Sequence, residues 1–120
     1  MDDKWLYRTA RGIALSLPEA QPYVFAEDWE AARVCGKWFM LASDHGGMLV
    51  NLKAAPGDVR ALVESFNCIE PGYHMNKRHW ISVRAKDGLD EDLLRSLVIN
   101  SYLLVRSGLP KASRPHLSDD

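Results

Sequence analysis

Two turn signals stand close together in the first half of the chain, and they decide the kind of sheet it can form. Cys35-Gly36 separates Ala31–Val34 from Lys37–Ser43, and Asp44-His45-Gly46-Gly47 separates that second segment from Met48–Lys53. The flanking segments are apolar and β-prone. A parallel pair of strands needs a crossover of roughly a dozen residues or more, so links this short leave only antiparallel neighbours. A Cys-Gly link suits a tight hairpin. Met48–Lys53 alternates, with Leu49 and Asn51 on one face and Met48, Val50 and Leu52 on the other. An antiparallel meander follows, with Tyr23–Phe25 as a further short strand ahead of it.

Helical periodicity brackets this meander. Leu6, Ala10, Ile13, Ala14 and Leu17 recur at helical spacing over Asp3–Leu17, which Pro18 ends. Pro56 suits the first turn of a second helix, whose apolar face is Val59, Leu62, Val63 and Phe66. Cys68–Glu70 is a candidate short strand broken by Pro71-Gly72, and His79–Arg84 is another strand. The longest helix is expected over Leu89–Ser107, with Asp90, Glu91 and Asp92 at its positive end. Its buried side would be Leu93, Leu94, Leu97, Val98, Ser101 and Leu104. Gly108 is placed for a left-handed C-terminal position and Pro110 follows. Grouped strands with flanking helices imply an α+β fold. At 120 residues the chain fits one domain, residues 1–110, followed by a tail at 111–120 that reads as mobile. Cys35 and Cys68 sit in no metal spacing and are expected as a reduced, buried pair. The opening MDDKW is acidic, and no apolar run reaches the length of a membrane span. A cytoplasmic location without membrane contact is the expectation.

Charge is nearly balanced overall, with 15 basic and 16 acidic residues, yet it is unevenly distributed. Pro71–Lys86 (PGYHMNKRHWISVRAK) contains no acid and carries Lys77, Arg78, Arg84 and Lys86 beside Tyr73, His74, His79 and Trp80. Cationic heads beside aromatic faces and amide donors suit a phosphate or a base. A sequence pI near 6.4 is low for a dedicated nucleic-acid domain, so any such affinity must come from one face and must weaken with salt.

The run PGYHMNKRHWISV, Pro71 to Val83, resembles the hallmark segment of the MmcQ/YjbR-like family. LPEAQPYVF after the first helix, GKWFML at Gly36–Leu41, VNLKAAP at Val50–Pro56 and INSYLLV at Ile99–Val105 resemble further family motifs, in the family's order. The resemblance implies a compact α+β, double-wing architecture whose β-hairpins act as wings, and a DNA-binding role. By position it maps onto Tyr73, His74, Asn76, Lys77, Arg78 and Trp80, with Lys37 and Lys53 on earlier strands.

Each candidate also has a structural use. Lys77 and Arg78 are neighbours, and in an extended segment they would point opposite ways. Arg78 could fork onto a phosphate or onto guanine, and either residue could pair with Glu70 instead. Trp80 could stack on a base or lie against the last helix. Asn76 could read adenine or stabilise a turn. Lys53 stands just before the helix at Pro56, whose free N–H groups could meet an anion. The acids Glu27, Asp28 and Glu30 fit a solvated loop. His74 and His79 have no spacing suited to a metal, and no GxSxG, P-loop, GxGxxG or HExxH motif is present. No cofactor and no catalysis are expected. The leading expectation is DNA binding through Lys37, Lys53, Lys77, Arg78 and Arg84 on phosphates, with Tyr73, His74 and Asn76 alongside. The alternative is a pocket for a small anionic ligand or an acidic protein built from Tyr73, His74, Lys77 and Arg78.

Overall fold

Cys35 and Gly36 both adopt left-handed backbone, with φ of 49° and 77°, the combination a two-residue type I′ hairpin requires. They join β2 (Trp29–Val34) to β3 (Lys37–Asp44). At the next turn Gly46 and Gly47 have φ of 62° and 107°, and the Gly47 N–H donates to Asp44 Oδ1 at 3.2 Å. That turn leads into β4 (Met48–Lys53). The computed structural model describes residues 2–26 and 29–117. β1 (Ala20–Ala26), β5 (Ile69–Pro71) and β6 (Trp80–Arg84) complete one six-stranded sheet in the order β1-β2-β3-β4-β6-β5. Every neighbouring pair is antiparallel. β1 is longer than its apolar segment suggests because its ladder with β2 recruits Ala20, Gln21 and Pro22. A proline is tolerated there because β1 is an edge strand.

Three helices flank the sheet. α1 (Asp3–Leu15) is capped by Asp2, whose Oδ1 accepts from the Trp5 N–H at 2.8 Å. It stops short of the expected Leu17. A residue before proline disfavours helical backbone, so the chain leaves the helix at Ser16, whose hydroxyl donates to the Ile13 carbonyl at 2.6 Å. α2 (Pro56–Ser65) starts on its proline. α3 (Glu91–Ser107) starts two residues past the expected Leu89, because the Asp90 side chain caps it by accepting from the Leu93 N–H at 2.8 Å. Gly108 is right-handed, with φ of −83°, and not left-handed as expected. The chain there makes a further tight turn, with the Leu109 N–H donating to the Arg106 carbonyl, and Arg114 closes it by donating to the Ser107 and Leu109 carbonyls. Residues 111–117 therefore fold back on the end of α3, where the sequence suggests a mobile tail. Lys111–Ser113 form a 3₁₀ turn, the Arg106 guanidinium donates to the Pro115 carbonyl, and Pro115 is buried.

α1 and α3 cover one face of the sheet. Leu6, Ala10 and Ile13 meet Leu94, Val98 and Tyr102 over Val50, Leu52, Ile81 and Val83. Leu93 and Leu104 are only half-buried. Tyr102 is fully enclosed, edge-on to Phe39 at 5.3 Å, and its hydroxyl donates to the Pro18 carbonyl at 2.7 Å. Burial pushes its pKa up. Cys68 is buried and its thiol pKa is raised, whereas Cys35 is exposed. The expected buried cysteine pair is not formed, because the hairpin turn puts Cys35 at its tip.

Candidate functional site

The site begins where β3 and β4 part. Ala32 opposes Met40 but Arg33 opposes Trp38, which leaves Phe39 as an extra residue in β3. Such a bulge bends its strand, and the β3–β4 ladder ends at Met40 and Leu52. Ser101 of α3 fills the gap. Its hydroxyl accepts from the Lys53 N–H at 2.8 Å and donates to the Phe39 carbonyl. Two backbone groups that a ladder would have joined are bridged by a side chain instead. A groove of ≈470 Å³ opens beside the split, lined by Lys37, Trp38, Lys53 and Trp80, with Val105, Gly108 and Leu109 at the end of α3 as its wall. Lys53 and Trp80 are direct partners across β4 and β6.

The segment leading to Trp80 is folded back on itself. The Gly72 N–H donates to the Trp80 carbonyl at 3.0 Å, and a Cβ at Gly72 would stand 2.7 Å from the Trp80 Cβ. Only glycine permits that approach. The Tyr73 N–H donates to Ser82 Oγ at 2.9 Å, and the Tyr73 carbonyl accepts from Asn51 Nδ2 at 3.1 Å. Ser82 donates in turn to Asn51 Oδ1. Asn51 and Ser82 are wholly buried on the face away from α1 and α3, so a closed polar network clamps Tyr73 there. The Tyr73 ring stacks on His45 at 3.9 Å and lies 4.1 Å from the tilted His74 ring. His74 has left-handed backbone, with φ of 57°.

Asn76 serves the turn, as one of its two expected uses: its Oδ1 accepts from the Arg78 N–H at 2.9 Å. Adjacent side chains diverge on extended backbone, but this turn brings Lys77 and Arg78 to one groove of ≈740 Å³ over Pro56, Val59 and Val63 of α2. Lys77 Nζ donates to the Gly72 carbonyl at 3.2 Å, which leaves two of an ammonium's three donors for other partners. The two grooves adjoin. Lys53 and Trp80 border one, Pro56 and Arg78 border the other, and the Ala54 N–H donates to the His79 carbonyl between them at 2.8 Å. Lys37 begins β3, Lys53 ends β4 and Trp80 begins β6, so all share one end of the sheet. None of Lys37, Lys53, Lys77 and Arg78 forms a salt bridge among the described residues.

The other candidates lie apart. Arg84 is 18% exposed and pairs with Glu70 at 3.3 Å. It also donates to the His45 carbonyl at 3.0 Å, which ties it to the turn at the opposite end of β4. Its charge is met by Glu70 and its Nε and Nη1 are engaged, so it does not count among the cations that lack a salt bridge. Tyr73 and His74 belong to the His45 stack and do not line either groove. Glu27 and Asp28 lie outside the described residues. Glu30 is no free loop acid: it accepts from Arg11 Nε at 2.6 Å and from the Tyr7 hydroxyl at 2.9 Å. Burial and the neighbouring Glu30 raise the Tyr7 pKa, and the bond to Glu30 raises that of Arg11. No group of three or more His, Cys, Asp or Glu side chains among the described residues could hold a metal ion. Among those residues no helix is long and apolar enough to cross a membrane.

Sequence reasoning missed Trp38, Ser101 and Gly72 as builders of the site. Trp38 follows Lys37 directly, but nothing local reveals the bulge that turns both toward the groove. Ser101 reads as one small residue on a buried helical stripe.

An antiparallel six-stranded sheet with helices α1 and α3 on one face, and with two indoles and four cations that form no salt bridge among the described residues gathered at one end, defines a small α+β protein. The chain belongs to the YjbR family, whose model matches residues 15–104. It is 40% identical over 113 residues to the uncharacterized protein YbdF of Escherichia coli O157:H7, covering 92% of this chain and 93% of that one. The crystal structure of Deinococcus radiodurans protein DR2400, of domain family DUF419, is similar with a TM-score of 0.77 at 29% identity, over 87% of this chain and 81% of that one. A crystal structure of a Pseudomonas syringae protein is similar with a TM-score of 0.62 at 29% identity, over 71% of this chain and 86% of that one.

Proposed function

We propose that this end of the sheet binds DNA through its phosphates, with Lys37, Lys53, Lys77 and Arg78 as the contacting cations and without catalysis. One observation carries the proposal: four cations from three separate parts of the chain line two adjoining grooves, and none forms a salt bridge among the described residues, the acid on the Lys77–Arg78 groove, Glu64, being paired with Arg60. Every other lysine or arginine in the acid-free stretch, Arg84 and Lys86, is engaged by Glu70. Such contacts set position on a duplex and carry no sequence information. The first turn of α2 borders the same groove as Lys77 and Arg78 and has no side-chain cap, so its N–H groups support the same polarity.

The Lys77–Arg78 groove also has an apolar floor at Val59 and Val63 and the volume of a small-molecule site. That favours, as a second reading, a small anion or an acidic segment of another protein. Replacing Lys77 and Arg78 together with alanine separates the two. Weaker binding to a random duplex, with a shallower salt dependence and an unchanged fold, supports DNA. Unchanged duplex binding together with loss of binding to a polyglutamate chain or a dicarboxylate supports the second reading.

A further inference from the structure

The groove at the β3–β4 split differs in chemistry from the one beside α2. It sets two half-buried indoles, Trp38 and Trp80, beside two lysines that have no acid partner among the described residues. Indoles offer flat faces to a ring, and lysines offer point charges to a phosphate. A duplex presents phosphates but keeps its ring faces stacked inside. A groove equipped for both at once suits a nucleotide whose base is unpaired. Its volume of ≈470 Å³ falls in the range of small-ligand sites.

Position is fixed on every side. Gly72 abuts the root of Trp80 and bonds its carbonyl. Lys53 is held beside Trp80 by the β4–β6 register and by Ser101. The end of α3 closes the groove at Gly108 and Leu109. Arg114 occupies the Ser107 and Leu109 carbonyls at that end, so within the groove the lysines are the partners for a phosphate and the indoles the partners for a ring.

We infer that the Trp38–Trp80 groove takes a single nucleotide unit, the unpaired base between or against the indoles and its phosphate on Lys37 and Lys53. This inference rests on the DNA reading above for the source of the nucleotide, a single strand, but not for the chemistry of the groove.

The test is a fluorescence titration of the full chain with three probes: adenosine 5′-monophosphate, a single-stranded oligonucleotide and a blunt duplex. Quenching of tryptophan emission by the single strand, with tighter binding than to the duplex, supports the inference. Trp38→Leu and Trp80→Leu should each weaken single-strand binding about tenfold, the order of one stacked base, and should weaken duplex binding less. Should either variant melt early, Lys37→Gln/Lys53→Gln keeps the indoles and should weaken the single strand and the mononucleotide alike. Quenching by the mononucleotide with no binding of either polymer upholds the groove and removes the DNA reading. Equal binding of duplex and single strand with no quenching overturns the inference and leaves the DNA reading standing. No response to any probe overturns both.

Discussion

Lys53 and Trp80 are cross-strand partners at the end of the β4–β6 ladder, a lysine held beside an indole at the mouth of a groove. Neither side chain belongs to the main apolar core. The pairing puts the middle of the acid-free stretch next to a strand nearly thirty residues earlier in the chain, where the two grooves adjoin.

Ser101 is the residue on which that mouth depends. Ser101→Ala would leave the Lys53 N–H and the Phe39 carbonyl without their shared partner in a site with no solvent access. Leaving buried polar groups unpaired costs about 1–3 kcal/mol. The urea midpoint should fall accordingly, with an unchanged denaturant slope. An unaltered midpoint would mean that the hydroxyl does not bridge the two strands.

Gly72→Ala tests the close approach under Trp80. The added methyl would meet the Trp80 Cβ and backbone at 2.7 to 3.0 Å, and forcing a methyl into a filled space costs about 1–3 kcal/mol. A lower melting temperature and a shifted tryptophan emission maximum are expected together. A stability equal to that of the parent chain would show that the loop yields freely.

Arg84→Ala should separate structure from binding. It removes the link between Glu70 and the turn at His45, and the loss of a partly exposed, charge-assisted network is worth about 1 kcal/mol. Stability should drop while the salt slope for DNA stays the same. A salt slope that fell as much as in Lys77→Ala/Arg78→Ala would return Arg84 to the binding set.

Much of this architecture is legible in the chain because the signals are local. The Cys35-Gly36 link, the alternation of Met48–Lys53, and Pro56 at a helix start each depend on a few neighbouring residues. Helix ends were less legible: Ser16 and Asp90 make side-chain bonds that move the boundary, and Gly108 takes a right-handed turn because Arg114, six residues later, supplies the missing donors. The candidate site is half legible. Residue type points to Lys53, Lys77, Arg78 and Trp80, and the family resemblance adds Lys37, but charge pairing is a property of the fold. Only the folded chain puts Glu70 on Arg84 and leaves Lys77 and Arg78 without a salt bridge among the described residues. The bulge at Phe39, which brings Trp38 into play, has no signature in sequence.

Alkaline pH should weaken the fold. Burial raises the pKa of Tyr102, and burial with the nearby Glu30 raises that of Tyr7. A raised folded-state value means that the protonated form is favoured on folding. The contribution is complete below the ordinary tyrosine value of about 10 and is lost as pH rises through the higher folded-state values. Burial of the Cys68 thiol acts in the same direction. Urea midpoints measured from pH 8 to 11 should decline at the upper end, and Tyr102→Phe should flatten part of the decline. A midpoint constant to pH 11 would contradict these directions.

The central claim is that Lys37, Lys53, Lys77 and Arg78 act as one anion-binding surface. It is tested most directly by binding a random duplex at a series of salt concentrations, with the parent chain and with a variant carrying alanine at all four positions. Each phosphate neutralised contributes about 0.9 to the slope of log affinity against log salt. The parent should show a slope approaching about −3 to −4 if each cation meets one phosphate, and the variant a slope near zero with an intact circular dichroism spectrum. Equal slopes for the two proteins, or no binding by the parent at low salt, would contradict the claim.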